Sequence, residues 1–498
     1  MRVNRNIVAN YASRLWSGLS TFAFVPLYLR LLGPEAFGLV TFSMTLLGVA
    51  FILDMGMSNA FAREMAREPS RVRLATLLRS LEIVYLGSVL LVALLTIPGS
   101  RLIANYWLNA STLDPSQIRR CVALMLMSSM LQVMMALYMG GLFGSNRHVA
   151  AASFQIGFGF VRSGLVLIPL YFLRNVEFIF VWQLGASLLC LLLLRSAAWR
   201  DLRNSDAPAH FSLNALRTVG RFAGGMFGIA LISTINTQSD KIVVSKIFSL
   251  TDFGAYSIAS LIGQVPSMLA LPLAITILPR LTAYAARDEH SALLTAYLRY
   301  SMMIAIVAFG AAGGIIAGAP QLLSLITAAQ PNASLVDATR LLAIGGAFLA
   351  TQYMPYHLAI ACGHTRTNLI LGSVSAAVLP FAIWFGAERM GLLGAAWPWL
   401  VLNATGSVLL AWRIIPRFLG SHLTEWAFKA NILPFAINAA IIIPGSLLIE
   451  STVSDLVPRL GLIALLCSAA MAVNILFLHL FFRALPAGSS AISQSVIT

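Results

Sequence analysis

Charged side chains are scarce in this chain. Asp, Glu, Lys and Arg together make up 10% of its 498 residues, and hydrophobic residues make up 59%. A soluble protein usually carries about 25% charged residues. The composition therefore excludes a set of water-soluble domains. It predicts an all-α membrane protein, because backbone groups in lipid must be hydrogen-bonded within the chain.

Acidic residues are scarcer than basic ones. The chain has 18 Asp and Glu against 33 Lys and Arg, for a net charge of +15. Such an excess can indicate nucleic-acid binding, but the arginines are spread over many loops and form no stripe with interleaved aromatics. An asymmetry of positive charge across a membrane explains them better, and we expect no nucleic-acid partner.

Cysteine is also rare, and the motifs of several enzyme classes are absent from the sequence. Four cysteines lie far apart, in or beside apolar segments, which fits neither a metal site nor a disulfide framework: Cys121, Cys190, Cys362 and Cys467. The sequence has no Walker loop, no paired acids in a long outer loop and no His/Cys cluster. We therefore expect neither an enzyme nor a metal site, and no cofactor other than a coupling ion, H⁺ or Na⁺.

Apolar runs of membrane-spanning length, by contrast, fill the chain. A helix needs about 20 mostly apolar residues to cross the hydrocarbon core, and about fourteen such segments are present. We place them at 10–32, 36–57, 77–98, 119–143, 148–172, 176–198, 217–239, 251–279, 294–318, 335–361, 366–387, 391–413, 427–449 and 460–482. No small-residue cleavage site follows the first segment, so we expect it to be a retained helix.

The placement of arginine and lysine predicts the orientation. With the N-terminus inside, basic residues are about twice as frequent in the inside loops as in the outside ones. We therefore expect an even number of spans and both termini in the cytoplasm.

A weak internal repeat runs through the chain. Phe37-Gly38 at the second span matches Phe253-Gly254 at the eighth, and Gly144–Arg147 matches Gly363–Arg366, at offsets of 216 and 219 residues. Six spans separate the copies, so both copies keep the same orientation. The pattern predicts two six-helix lobes in a parallel repeat, with two extra C-terminal helices.

The repeat divides the chain into four parts. We predict an N-terminal lobe at 1–198, a cytoplasmic connector at 199–216, a C-terminal lobe at 217–413, and the last two spans with a tail at 414–498. Two related bundles with a site between them are typical of transporters.

Several stretches resemble Wzx-type lipid-linked oligosaccharide flippases of the polysaccharide transporter family. Leu31–Gly38 reads LLGPEAFG and is followed by Asp54-Met55-Gly56; Asp240–Ile242 and Phe253–Ser257 resemble the matching part of the second lobe. The resemblance implies membership of the multidrug and polysaccharide exporter superfamily, alternating access and a location in a bacterial inner membrane. It also implies an undecaprenyl-diphosphate oligosaccharide as substrate, for surface polysaccharide such as O-antigen, capsule or exopolysaccharide, and contact with polysaccharide polymerase machinery.

Arg162 is the strongest candidate for a substrate contact. It lies mid-span in a segment without acidic residues, and a charge at that depth is costly unless it meets water or a partner. Gln155, Gly159 and Arg162 share one helical face, and a guanidinium binds diphosphate or acidic-sugar oxygens bidentately. The alternatives are a buried pair with Asp54 or Glu82, or snorkelling to the interface.

Other polar side chains within spans are further candidates for substrate binding. Arg14 belongs to a polar stripe on the first span, so it either faces a wet lumen or anchors at the headgroups; Arg221 has the same two explanations. Glutamine and tyrosine side chains would contact sugar hydroxyls or form interhelical hydrogen bonds: Gln155, Gln264, Gln352 and Tyr353.

Three ionisable side chains are candidates for ion coupling or gating: Asp54, Glu82 and His357. The alternative for the two acids is a structural salt-bridge network near the cytoplasm with Arg63 or Arg14. Arg79 is well placed for such a network, because it precedes Glu82 by three residues on a helix.

Two other functions remain open on the sequence. An ion-coupled multidrug exporter of the same superfamily would place carboxylates deep in the first lobe, whereas the deepest charge here is Arg162. A membrane glycan polymerase would need a sizeable outer loop carrying acids or arginines, and the sequence has none.

Overall fold

The fold is entirely helical in the part of the chain that the structure describes. This computed structural model describes residue 20 and residues 23–202, 209–453 and 455–483, without the side chains of 201 and 480–483. Within these ranges the only β-type pairing is an isolated bridge between Asn109 and Ser249.

The helices follow one another with short connections. The first ten are α1 (Ala23–Leu32), α2 (Pro34–Ala50), α3 (Met57–Arg67), α4 (Arg71–Leu102), α5 (Pro115–Gly144), α6 (His148–Gly159), α7 (Leu167–Leu173), α8 (Val176–Leu202), α9 (Leu213–Ile247) and α10 (Leu250–Gly263). The remaining seven are α11 (Val265–Ala286), α12 (His290–Thr327), α13 (Ala333–Ala361), α14 (Arg366–Leu419), α15 (Leu423–Ala427), α16 (Leu433–Thr452) and α17 (Leu456–Arg483).

Four short segments have a tighter or wider helical winding. Phe51–Asp54 is a 3₁₀ turn after α2, whereas Ile103–Trp107, Phe160–Leu165 and Phe428–Ile432 are π-helical. Wide π turns release backbone groups from the regular ladder and are frequent at functional sites.

Twelve candidate membrane spans lie among the described residues, against the fourteen predicted from sequence. Two differences account for the lower number. Most of the first, 10–32, lies outside the described residues, so only the short apolar helix α1 represents it. The eleventh and twelfth fall within the single long helix α14.

The backbone of α14 reverses at one glycine. Gly391 has φ 64° and ψ −145°, a conformation that is essentially confined to glycine. On either side, Gly386 and Gly394 approach so closely that a Cβ on Gly386 would lie 2.2 Å from the carbonyl oxygen of Gly394. The element is therefore two antiparallel helices joined by a minimal turn, as the predicted spans 366–387 and 391–413 require.

The helices separate into two compact units, residues 1–255 and 256–498, with the boundary inside α10. The core of the first unit is formed by α3, α4, α5 and α8, around Leu78, Leu81 and Tyr138. The core of the second is formed by α11 to α14, around Tyr297, Ile304 and Leu358, and α16 and α17 add a smaller cluster.

Helix α9 belongs to the first unit, where it packs against α2, α3 and α4. Its sequence corresponds to the seventh span, which we assign to the C-terminal lobe. The lobe boundaries and the parallel repeat stay predictions.

Candidate functional site

Glu82 on α4 is the most heavily hydrogen-bonded carboxylate in the described structure. It is 4% exposed and accepts hydrogen bonds from Tyr138 Oη at 2.6 Å and Trp199 Nε1 at 2.7 Å. Arg195 Nε lies at 3.0 Å and Arg79 Nη1 at 3.3 Å. Two cations compensate one buried anion, so this cluster joins α4, α5 and α8. Arg79 is the neighbour expected from its spacing, whereas the second cation is Arg195 and not Arg63.

Asp54 has a different environment although it lies nearby. Its carboxylate is 6% exposed and accepts hydrogen bonds from the hydroxyls of Tyr85 and Ser58, the latter at 2.8 Å. No basic side chain forms an ion pair with it in the described part of the chain. Among the described residues its donors are neutral hydroxyls, which distinguishes Asp54 from Glu82.

The break between α2 and α3 positions Asp54. Met55 and Gly56 both adopt left-handed conformations, with φ 49° and 70°, and this ends the 3₁₀ turn immediately after Asp54. A Cβ on Gly56 would lie 2.5 Å from Met226 Cβ on α9. The break therefore needs glycine for both its backbone angle and its close contact.

Helix α4 presents its polar groups in one row. Arg79, Glu82 and Tyr85 are spaced three residues apart and so share one face. Tyr85 reaches Asp54, and Glu82 reaches α5 and α8. One helix face thus connects both buried carboxylates, and a shift of α4 would change both environments.

A cavity of about 730 Å³ adjoins Asp54. It is bounded by the 3₁₀ turn, α3, α5 and α6, and its polar lining consists of Ser58, Asn59, Gln132, His148 and Gln155. Ser58 both lines the cavity and donates to Asp54. The predicted substrate residue Gln155 therefore lines the same cavity as Ser58, the hydrogen-bond partner of Asp54, whereas Arg162 is not in the described lining.

Arg162 lies in the π-helical segment Phe160–Leu165. The wide turn frees two carbonyls that side chains then satisfy: Tyr28 Oη donates to Ser163 O at 2.8 Å, and Trp182 Nε1 donates to Val161 O at 2.9 Å. Arg162 Nε is buried without a hydrogen-bond partner, and Arg162 forms no ion pair within the described residues. The alternative pairing with Asp54 or Glu82 does not occur in this structure.

The other two predicted arginines are not part of this arrangement. Arg14 lies outside the described residues. Arg221 is exposed on α9, and its neighbour Phe222 instead receives the guanidinium of Arg63, 4.6 Å from the ring centroid. Arg63 therefore stacks on an aromatic ring and does not form the expected ion pair with Asp54.

The candidates in the second unit have local structural partners. Gln352 Nε2 donates to the backbone and side-chain oxygens of Asn403 at 3.0 and 3.1 Å, which is the interhelical bond we considered as its alternative. His357 is 8% exposed, and its Nδ1 lies 2.7 Å from Tyr353 O; because a carbonyl only accepts, Nδ1 carries the proton. Gln264 is exposed, and its Nε2 donates to the backbone oxygen of Ser260, four residues earlier, at 3.2 Å.

A third buried carboxylate, which sequence reasoning missed, stabilises the loop after α4. Glu35 is 7% exposed and accepts hydrogen bonds from Ser111 N at 2.5 Å and Thr112 N at 2.9 Å. The same loop pairs with the start of α10, where Leu250 N donates to Asn109 O at 2.9 Å. Only the LLGPEAFG motif signals Glu35, and it does not reveal the partners.

These features define the class of the protein. A helical bundle with twelve candidate spans among the described residues, which holds three buried carboxylates and an arginine within it, is typical of membrane transporters. The model of the polysaccharide biosynthesis protein family matches residues 3–285. The chain therefore belongs to that family, whose Wzx-type transporters form part of the multidrug and polysaccharide exporter superfamily.

Curated bacterial relatives agree with this assignment. The chain is 22% identical over 390 residues to a Shigella flexneri protein named "Putative O-antigen transporter", covering 77% of this chain and 90% of that one. It is 23% identical over 451 residues to the lipopolysaccharide biosynthesis protein WzxC of Escherichia coli K12, covering 85% and 84%. The protein is a multi-pass membrane transporter of the kind used in O-antigen and polysaccharide biosynthesis.

Solved structures show the same fold. The lipid II flippase MurJ in an inward closed conformation superposes with a TM-score of 0.69 at 13% identity, over 96% of this chain and 98% of that one. An inward-facing multidrug transporter of the MATE family gives a TM-score of 0.62 at 19% identity, over 82% and 95%.

Proposed function

We propose that the protein flips an undecaprenyl-diphosphate-linked oligosaccharide from the cytoplasmic to the outer leaflet by alternating access, for O-antigen, capsule or exopolysaccharide synthesis. Family membership and the names of the bacterial relatives support a polysaccharide precursor as cargo. A glycan of this kind is made on a lipid carrier, so the cargo combines sugar hydroxyls with a diphosphate anion.

Arg162 is the observation that carries this proposal. A guanidinium inside a membrane span with a buried, unbonded Nε needs water or an anion. Diphosphate and acidic sugars present paired oxygens that match the guanidinium fork. The tyrosine and tryptophan bonds to the neighbouring carbonyls fix the turn that bears it, so the cation is held in place before cargo arrives.

Asp54 would bind the second component of the transport cycle, a coupling ion. The donors to its carboxylate among the described residues are hydroxyls, so uptake of H⁺ or Na⁺ would neutralise a charge that no described cation compensates. Tyr85 ties the carboxylate to α4, which also bears Glu82. Ion uptake at Asp54 would thus bias the position of a helix that packs against α5 and α9.

The test uses a strain that lacks its own flippase and depends on this protein for surface glycan. Arg162→Ala should abolish surface glycan and accumulate the lipid-linked precursor on the cytoplasmic side, while Arg162→Lys retains partial export because it keeps the charge without the fork. Arg174→Ala, an exposed arginine beyond the end of the same span, is the matched control. Normal glycan in the Arg162→Ala strain, or loss of glycan only because the protein is degraded, would overturn the proposal.

An ion-coupled multidrug exporter is the second candidate, and buried Asp54 favours it. The same strain distinguishes the two functions. An exporter would raise resistance to cationic drugs without restoring surface glycan, and Arg162→Ala would leave that resistance intact.

We expect the protein to work at the inner membrane beside the polysaccharide polymerase, with both termini in the cytoplasm.

A further inference from the structure

A second cavity, in the second unit, has a strongly basic lining. It encloses about 430 Å³ between the first turns of α14 and the end of the same element, after the reversal at Gly391. Three arginines line it: Arg366, Arg413 and Arg417. All three are exposed, and none forms an ion pair within the described residues.

The arrangement is unfavourable without an anion. Arg413 and Arg417 are four residues apart on one helix, so their like charges are neighbours and repel. Arg366 adds a third charge from the antiparallel helix. No acidic residue belongs to the described lining of this cavity, so none of these lining residues offsets the repulsion.

Backbone groups add to the positive potential. Arg366 is the first residue of α14, and the N-cap Thr365 makes no side-chain capping bond. The first amides of the helix therefore keep free N–H groups at the positive end of the helix dipole. Thr367 is held by a 2.8 Å hydrogen bond with His364 Nε2, which fixes the loop before this helix.

The apolar part of the lining faces outward. Trp412 is 60% exposed, and Ile370 and Leu409 are about half exposed beside it. Tryptophan is enriched where a span meets the headgroup region, and basic pockets between spans bind lipid headgroups. Only 17% of the most apolar stretch of α14 is buried within the protein, so much of this helix pair is left for lipid to contact.

We propose that this cavity binds the phosphodiester headgroup of an anionic glycerophospholipid. The three guanidiniums and the amides of the first turn hold the phosphate oxygens, Trp412 sits at the glycerol level, and Ile370 and Leu409 contact the acyl chains. Such a lipid would join the two helices of α14 through their charged ends. The proposal does not depend on the cargo proposed above.

The test measures lipid binding by the full-length protein. Purified protein in neutral detergent is titrated with short-chain phosphatidylglycerol or phosphatidylcholine, and thermal unfolding and native mass spectrometry report binding. Phosphatidylglycerol alone should bind and raise the unfolding temperature. The double variant Arg413→Ala/Arg417→Ala should weaken its binding roughly 30-fold, since each basic residue near an anionic lipid contributes about fivefold.

The control variant Arg280→Ala/Arg287→Ala removes the same charge from exposed positions of the same unit outside the cavity and should bind like the wild type. Equal responses to the two lipids, or equal weakening by both double variants, would refute the site. Polyprenyl diphosphate that displaces phosphatidylglycerol at lower concentration would also refute it, because the cavity would then serve the cargo. Binding of inorganic phosphate as tight as that of the lipid would show a free-anion site instead.

Discussion

Gly38 and Gly254, which occupy equivalent positions in the predicted repeat, pack against each other. A Cβ on Gly254 would lie 3.2 Å from the backbone of Gly38, and a Cβ on Gly38 would lie 2.0 Å from Leu250 O. Neither position has room for a side chain larger than a hydrogen atom without moving this neighbouring backbone.

Gly38→Ala should therefore separate α2 from the start of α10. The added methyl group meets a backbone carbonyl that cannot move aside, so we expect a loss of about 2 kcal/mol or more in the free energy of unfolding. Chemical unfolding in detergent measures it. Gly228→Ala, at a helical glycine with no atom within 4 Å of the new Cβ, should be neutral or stabilising, and equal losses in both variants would contradict this packing.

Glu35→Gln should loosen the loop at 109–112. The buried carboxylate accepts two backbone N–H groups and the hydroxyl of Thr112, and bonds to a charged acceptor contribute roughly 1.5–3 kcal/mol each. Hydrogen exchange should accelerate at the amides of Ser111 and Thr112. Asp288→Asn, at a side chain that is 91% exposed, should leave that exchange unchanged; unaltered exchange in the Glu35 variant would show that the carboxylate does not hold the loop.

Asp54→Asn should leave stability unchanged or raise it. The amide has the size of the carboxylate but removes a buried charge without a described cation, and such charges are costly. Glycan export should nevertheless fall sharply, because the amide cannot take up a coupling ion. A marked loss of stability in thermal unfolding would indicate that Asp54 is a structural residue.

Glu82→Gln, in contrast to Asp54→Asn, should lower the stability of the protein. It leaves Arg79 and Arg195 next to each other without their anion. We expect a loss of roughly 2 kcal/mol, less than for a fully buried pair, because both arginine side chains are 44–45% exposed. Asp54→Asn, measured under the same conditions, is the control. Equal free energies of unfolding for the two variants would contradict the proposed difference between the two carboxylates.

The helices could be predicted from the sequence because apolar length is a local property. The spans at 119–143 and 335–361 correspond closely to α5 and α13. The i, i+3 contact of Arg79 with Glu82 is local too, and it was predicted. Topology across the membrane rests on charge placement alone and stays a prediction.

The partners of the buried groups could not be predicted, because they lie far apart in sequence. Tyr85 is 31 residues from Asp54, and Arg195 is 113 residues from Glu82. The π turn around Arg162 depends on Tyr28 and Trp182, on two other helices. The apolar pattern shows that these side chains are inside, but only packing decides which donor meets which acceptor.

The reversal at Gly391 also bears on biosynthesis. Its two helices are joined by a minimal turn, so they would enter the bilayer together as a hairpin. Closing so short a connection costs little chain entropy, and contacts such as Gly386 with Gly394 link near neighbours in sequence. This pair should therefore form early, while later segments are still being synthesised, and give the following helices a surface on which to assemble.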